Sequence, residues 1–442
     1  MRIASTAQRK ASGSNGLKNP PLNWYALFAG REAGAWMTIH RFHAQQTIRA
    51  ADSFAAKVRL LCSTLIWPVT ATFQAMHRTE KYGEFVRERT GKLQVTQFVE
   101  QLQLIFFECI SPKSYYLFQL YEPERRKRAQ EYLHRYESKR PSRLYHAISA
   151  EGPGPSRLLC DKMAFHERCQ SAGIATPEIY MSIEDGQLKN GSSSDRLPTR
   201  DLFVKPCKGR GGRGTQAWRF TSLGDFVDID GIRMGRDQLL DKLIRDSHGT
   251  MLLVQQRAEN HGALAWQNGH ATSTARVMSV VNERGEPEVV AAVFRMASGR
   301  TIVDNIHRGG IAAGIDLATG KLDSAIALGP EAIRTDLHPE TQRTFRGKTL
   351  PNWAEALALV VRAHRAFDGR CVIGWDVAFT PLGPVLIEGN SAPCVHLMQR
   401  GMDRPLGAGR FAELLAYHLK KRNLVTLARP KLLASAKPVT TH

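Results

Sequence analysis

Two apolar runs, Cys371-Val-Ile-Gly-Trp-Asp376-Val-Ala-Phe-Thr380 and Pro384-Val-Leu-Ile-Glu388-Gly-Asn390, are separated only by Pro381-Leu-Gly383. Such a pattern predicts a β-hairpin buried on both faces, and acids are the residues least expected in it. A buried carboxylate without a partner costs several kcal/mol, roughly, so Asp376 and Glu388 each need something positive. An odd connecting loop of Pro381-Leu-Gly383 sets Asp376 directly across from Glu388, on one face of the pair. A divalent cation suits that arrangement, because Mg²⁺ takes carboxylate and amide oxygens together with phosphate oxygens, and Asn390 adds a neutral oxygen. The alternative is that each acid meets an arginine or caps a turn. Three oxygen donors in one hairpin, with a glycine-rich loop upstream, favour the cation.

At 442 residues the chain is long enough for two or three domains with a well-buried core. Its formal net charge of +20 raises nucleic acid, anionic membrane or small anions as partners. The basic residues are spread widely and no nucleic-acid-binding signature accompanies them, so no nucleic-acid partner is expected. The seven cysteines form no CxxC pair and no zinc spacing, which suits reduced thiols and a cytoplasmic location.

Residues 1–21 read as a loose polar tail with no apolar signal region, and 22–155 as a helical N-terminal region. Within it, Leu60 to Phe73 is membrane-like but shorter than the roughly 20 apolar residues of a span. A packed helix interrupted at Pro68 is expected there, with surface attachment to a membrane through the basic flanks and Trp67 as the alternative. Glu122 to Tyr136 reads as one surface helix with Glu-to-Arg pairs, and Ile110 to Tyr121, rich in aromatics, as a docking element between helices. A boundary follows at Pro153-Gly-Pro155, and residues 426–442 are read as a second tail.

Beyond the boundary, Lys162 to Gly173 predicts a helix capped by Asp161. The stretch Asp201-Leu-Phe-Val-Lys205-Pro-Cys-Lys208-Gly209-Arg-Gly211-Gly212-Arg-Gly214 has the GxGxxG spacing. A dinucleotide site would need a helix next, yet a strand, Gln216 to Phe220, follows, and no Gly-Lys-Ser/Thr of a P-loop is present. What remains is a flexible loop between two strands, able to fold its N–H groups over phosphates while Lys205 and Lys208 supply charge. The strand ending in Val254-Gln255-Gln256, with Glu259 just beyond, suits a base and ribose. Ala275 to Val281 and Glu288 to Arg295 predict an antiparallel pair carrying Arg276 and Arg295, each needing an anion. A phosphoryl group is favoured for Arg276; for Arg295 it stands level with a structural ion pair.

The order Asp161-Lys162, Phe-Val-Lys205-Pro with its glycine loop, Val-Gln-Gln256, Thr-Ala-Arg276-Val, Gly-Trp-Asp376-Val and Ile-Glu388-Gly-Asn390 resembles the ATP-grasp superfamily. It is most similar to the sugar-transfer-associated branch, which Val303-Asp-Asn305-Ile-His307-Arg-Gly309-Gly310 and Ile315-Asp316-Leu-Ala-Thr-Gly320 also fit over roughly residues 95 to 425. The resemblance implies an α/β (α+β) ATP-grasp fold over 156–425, with a lid from about 174 to 255 and a core from about 256 to 425. It implies that Lys162 and Lys205 hold ATP phosphates, that Gly209, Gly211, Gly212 and Gly214 close over them, and that Gln255 and Gln256 meet adenine, with Glu259 near the ribose. A glutamate often stands where this chain has Gln, but an amide can still bond the base edge. By the same resemblance Arg276 stabilises the transferred phosphoryl group, and Asp376, Glu388 and Asn390 bind one or two Mg²⁺, for which Mn²⁺ can substitute. Asn305 and His307, with Arg308, lie in a candidate acceptor loop.

The implied chemistry is activation of a carboxylate as an acyl phosphate and its capture by an amine or other nucleophile, on sugar-linked or cell-envelope intermediates. Partners would be small-molecule carboxylates and nucleophiles. Two rivals stay open: an ATP-grasp kinase with a stable phosphorylated product, and a nucleotide-binding scaffold that forms no ADP.

Overall fold

The computed structural model describes residues 19–425 except 29–33, 139–143, 151–157, 190–195, 210–211, 268–270, 300, 303 and 305–308. Gly211, Asn305 and His307 and the Pro153-Gly-Pro155 boundary lie outside the described residues, as do the two terminal tails apart from residues 19–21.

Helices come first: α1 (Trp24–Phe28), α2 (Ala35–Ala50), α3 (Phe54–Thr90), α4 (Gln94–Glu108) and α5 (Pro112–Leu117). After them the chain is mixed. The strands are β1 (Ile179–Glu184), β2 (Gln187–Leu188), β3 (Leu202–Pro206), β4 (Gln216–Phe220), β5 (Phe226–Val227), β6 (Arg233–Met234), β7 (Leu252–Gln256), β8 (Thr274–Val281), β9 (Pro287–Met296), β10 (Ile311–Ile315), β11 (Leu322–Ile326), β12 (Val372–Thr380) and β13 (Gly383–Asn390). They form two sheets, ordered β2-β1-β7-β3-β4-β5-β6 and β11-β10-β9-β8-β12-β13. This is the α+β architecture expected, with a helical N-terminal region.

Alternation decides what each sheet covers. On β3, Leu202 and Val204 point into a core with Leu239 and Leu243 of helix Arg236–Asp246, so Phe203 and Lys205 face the other way. In the second sheet Trp375, Val377 and Phe379 pack with Leu359 and Val360 of helix Trp353–Ala366. Its opposite face carries Val372, Met278 and Val280 beneath helices Val395–Gly401 and Arg410–Lys421, which share that core with Ile39 and Phe42 of α2. The N-terminal helices therefore complete a core of the second sheet.

Three local expectations are corrected. Pro68 does not interrupt its helix, because α3 runs unbroken from Phe54 to Thr90. Trp67, Ala71 and Ala75 lie on one face against Ile105 and Cys109, and that packing carries the helix through the missing N–H. Glu122 to Tyr136 is not one surface helix but short turns at Pro123–Lys127, Ala129–Glu131 and Arg135–Ser138. Arg125 reaches Asp403 at 2.8 Å and Arg126 reaches Glu100 at 2.8 Å, while Tyr132, Leu133 and His134 are drawn inward. The hairpin is buried on both faces only in β12, because β13 is an edge strand and half-accessible. The docking role of Ile110 to Tyr121 is found, with Tyr115, Tyr116, Leu117, Phe118, Leu120 and Tyr121 all buried.

Candidate active site

In β12 and β13, Asp376 stands opposite Glu388 and Gly374 opposite Asn390, as the pattern predicts. The route differs from the expected three-residue loop. Thr380 pairs with Gly383, so the connection is only Pro381-Leu382, and the pairing shifts between Asp376 and Val377. A β-bulge at Ile387 adds the residue that the shorter loop omits. With a regular ladder Asp376 would face Ile387, and Glu388 would fall on the opposite face. Gly374 is required by close approach, since a Cβ there would lie 2.7 Å from Cβ of Pro393.

Across β8, Arg276 pairs in register with Asp376 and forks its guanidinium onto that carboxylate, one arm reaching Oδ2 at 3.1 Å. Arg295 from β9 donates to the same Oδ2 at 2.9 Å and pairs with Asp304 at 3.1 Å. Asp304 in turn accepts from Thr274 through its backbone N–H at 2.9 Å and its hydroxyl at 2.6 Å. The anion that both strand arginines find within the chain is thus Asp376. Burial alone would push the Asp376 carboxyl up, but the two guanidinium groups hold it down at about 2. Glu388 goes the other way: its enclosure and the charge of Asp376 raise it above the ordinary carboxylate range, against the pull of Arg276 and Arg295. Asn390 donates Nδ2–H to Glu388 at 3.2 Å, leaving Oδ1 as its acceptor.

Lys205 is buried on the face of the first sheet that looks away from its core. Burial lowers its ammonium to about 8, opposed by the negative charge of Glu388 and reinforced by Lys162. Lys162, at the start of helix Lys162–Ser171 capped by Asp161, directs its ammonium to the carbonyls of Pro206 at 3.0 Å and of Cys207 and Gly209 at 3.3 Å. It clasps the entrance of the glycine loop. Lys208 and Gly209 are exposed, while Gly209, Gly212 and Gly214 have φ of 138°, 68° and 71°, which other residues adopt only with strain. Of the two candidate hinge residues, Gln255 is buried and pairs with Phe203 on the Lys205 face, whereas Gln256 pairs with Leu202 on the opposite face. Glu259 lines a cleft of about 540 Å³ with Arg219 and Asp201 of the first sheet and Arg257, Asn260 and Thr272 beyond the hinge.

Among the described residues no group of three or more His, Cys, Asp and Glu side chains is placed to hold a metal. The Asp376, Glu388 and Asn390 set offers two carboxylates and one amide oxygen, which is the hard donor chemistry of Mg²⁺. A carboxyl held up by a like charge and an amide presenting oxygen fit a cation. Asp304 was given no role from sequence; the signal was there, an acid adjoining Asn305 in a polar, glycine-rich segment.

A family model described as sugar-transfer associated ATP-grasp matches residues 153–406, more than half of the chain. The chain belongs to this family. None of the curated proteins matches it. Among solved structures, the ATP-grasp chain is similar to an L-amino acid ligase from Bacillus licheniformis (14% identity over 54% of this chain and 43% of that one, TM-score 0.29). It is similar also to a D-alanine–D-alanine ligase from Bacillus anthracis (12%, 63% and 69%, TM-score 0.32) and to VanG D-Ala:D-Ser ligase from Enterococcus faecalis (16%, 61% and 62%, TM-score 0.33). The chain spans 43% of the first of these, less than two thirds of its length.

Proposed function

We propose that this ATP-grasp protein is an ATP-dependent ligase that activates a carboxylate as an acyl phosphate for attack by an amine or other nucleophile. One observation carries the reading: the Ile387 bulge sets Glu388 across from Asp376, beside Asn390, within electrostatic reach of the buried Lys205. Negative and positive groups converge there, which is what phosphoryl transfer needs, because positioning and charge neutralisation supply most of its catalysis.

In this reading Lys205 and Lys162 bind phosphates, with Lys208 at the loop entrance, and the backbone from Gly209 to Gly214, Gly211 and Gly212 included, closes over them. Gln255 orients adenine, Gln256 supports it from the strand end, and Glu259 approaches the ribose. Glu388, Asn390 and Asp376 would hold Mg²⁺, or Mn²⁺ in its place. When bound, that cation neutralises phosphate charge and polarises the transferred group. Arg276 and Arg295 hold Asp376 in its charged form and leave their remaining N–H groups for the phosphoryl oxygens. Asn305 and His307 belong to the acceptor side. The proposed setting is polysaccharide or cell-envelope synthesis, in keeping with the sugar-transfer association of the family, and the cysteine pattern supports a cytoplasmic location.

A screen of carboxylate and amine pairs for ADP release tests the proposal. ADP formed only when both partners are present supports it, whereas a stable phosphorylated product with no joined acyl group, or ATP binding without ADP, rejects it.

A further inference from the structure

Among the described residues, one apolar stripe of α3 is left uncovered. Val58, Leu61, Leu65, Val69, Phe73 and Met76 recur at three- and four-residue spacing, and all are exposed, between 42% and 68%. That spacing places them on one stripe of the helix. Between Phe54 and Thr79 the sequence holds no Asp or Glu, while Lys57, Arg59 and Arg78 carry positive charge. At 100° per residue Lys57 and Arg59 fall on opposite edges of the stripe, where their stems can lie along apolar matter and their charges in water. The hydroxyls are turned inward as well: Ser63 and Thr64 donate to the Leu60 carbonyl at 2.9 and 2.7 Å, and Thr70 and Thr72 to those of Trp67 and Pro68 at 2.9 Å. No hydroxyl of this stretch calls for water. The surface continues onto α4, because Met76 shares a groove with Val95 and Phe98.

We propose that α3 lies flat on an anionic membrane surface, with this stripe in the headgroup boundary and its basic edges against lipid phosphates. Charge complementarity selects that occupant. A second copy packed through the same stripe would bring Lys57 and Arg59 toward the Arg78 end of its partner, with no acid from Phe54 to Thr79 to meet them, and like charges at close range oppose such pairing. The chain-wide net charge of +20 acts in the same direction. By length and composition α3 could also cross a membrane, but its uncharged run from residue 60 to 76 is short against the roughly 20 residues of a usual span. Trp67, Ala71 and Ala75 are moreover packed on α4.

Flotation of the full chain with vesicles of phosphatidylcholine containing a minority of phosphatidylglycerol tests this. Wild type should float with them, and at least about tenfold less with phosphatidylcholine alone or in high salt. The double substitution L65E and V69E lies at exposed positions, so circular dichroism should be unchanged while binding falls by about tenfold or more. Three results overturn the proposal: no flotation of folded wild type, flotation indifferent to L65E and V69E, or a dimer in ultracentrifugation that the double variant converts to monomer. A protein extracted only by detergent would overturn the flat orientation in favour of a span.

Discussion

Asp376 and Glu388 stand opposite each other in one strand pair yet are shifted in opposite directions, and the two should answer mutation differently. Asp376 is the counter-charge of two arginines. Asp376→Asn strands the buried Arg276 guanidinium and leaves Arg295 with Asp304 alone, and should cost about 3–5 kcal/mol in urea unfolding. Glu388 is raised by its enclosure and by a like charge. Glu388→Gln keeps the acceptor used by Asn390 and removes the repulsion, so its unliganded form should melt no lower than wild type. The same variant should abolish ADP formation and lose most of the rise in melting temperature that Mg²⁺·ATP produces by mass action. A Glu388→Gln enzyme that turns over normally would remove the main support for the ligase reading. Lys205 gives a titration with a definite sign. Its free ammonium, lowered to about 8, loses charge as pH rises through that value, and bound phosphate favours the charged form. Nucleotide affinity should therefore fall above pH 8, with proton uptake seen by calorimetry in buffers of different ionisation enthalpy. Lys205→Ala should bind about tenfold more weakly, on the order of 1.4 kcal/mol, and show no such pH dependence.

At the scale of elements, the glycine loop joins β3 to β4 with Gly212 at a φ of 68°. A β-branched residue is strained at that φ. Gly212→Val should slow turnover by roughly tenfold while lowering the melting temperature only slightly, because the loop carries little packing; full activity would show that the loop does not close over nucleotide. The loop's two strands were legible because a strand and not a helix follows the glycines, and the β8–β9 pair because alternation and a Gly-containing turn are local signals. The acid pair was legible for a different reason. Parity alone decides which residues share a face, so a two-residue turn with a bulge at Ile387 gives the same answer as a three-residue loop. The bulge itself left no mark in the sequence. Long-range partners were equally hidden: Arg125 meets Asp403 across the chain, and that contact, absent from any helical periodicity, breaks up the helix read over 122–136. Pro68 misled because a propensity rule concerns an isolated helix, whereas Trp67, Ala71 and Ala75 hold this one by packing.

For the whole molecule, the seam between the N-terminal helices and the second sheet is built from buried histidines and governs the response to acid. Gly407 permits the close approach: its N–H donates to the Glu131 carbonyl at 2.9 Å, where a Cβ would lie 2.2 Å from that oxygen. Alongside, Glu137 accepts from His40 and, at 2.8 Å, from the backbone N–H of His134. The His134 ring stacks on Tyr136 with centroids 5.1 Å apart. Burial lowers His134 to about 4, despite the nearby Glu137 charge, and does the same to His364, which accepts from or donates to Ser279 at 2.7 Å beneath the second sheet. Both rings stay neutral in the folded state while the unfolded chain takes up protons below its ordinary value of 6.5. Their contribution is present above pH 6.5 and is lost as pH falls toward 4, roughly 3 kcal/mol for each ring. His40 runs the opposite way, since its raised value adds stability below 6.5 that fades as pH rises, and it offsets part of the loss. His43 and His396 of the same seam are lowered by burial as well, so the lowered rings outnumber the one raised partner and the net effect is a loss of stability in acid. His134→Phe keeps the stack on Tyr136 and removes one titration, and the hydroxyl it abandons, Ser114, still pairs with Ser111 at 3.1 Å. Urea unfolding at pH 6.5 and pH 4 should therefore show this variant losing about 3 kcal/mol less than wild type across that interval. An unchanged difference would mean that His134 is already charged, or already solvated, in the folded protein.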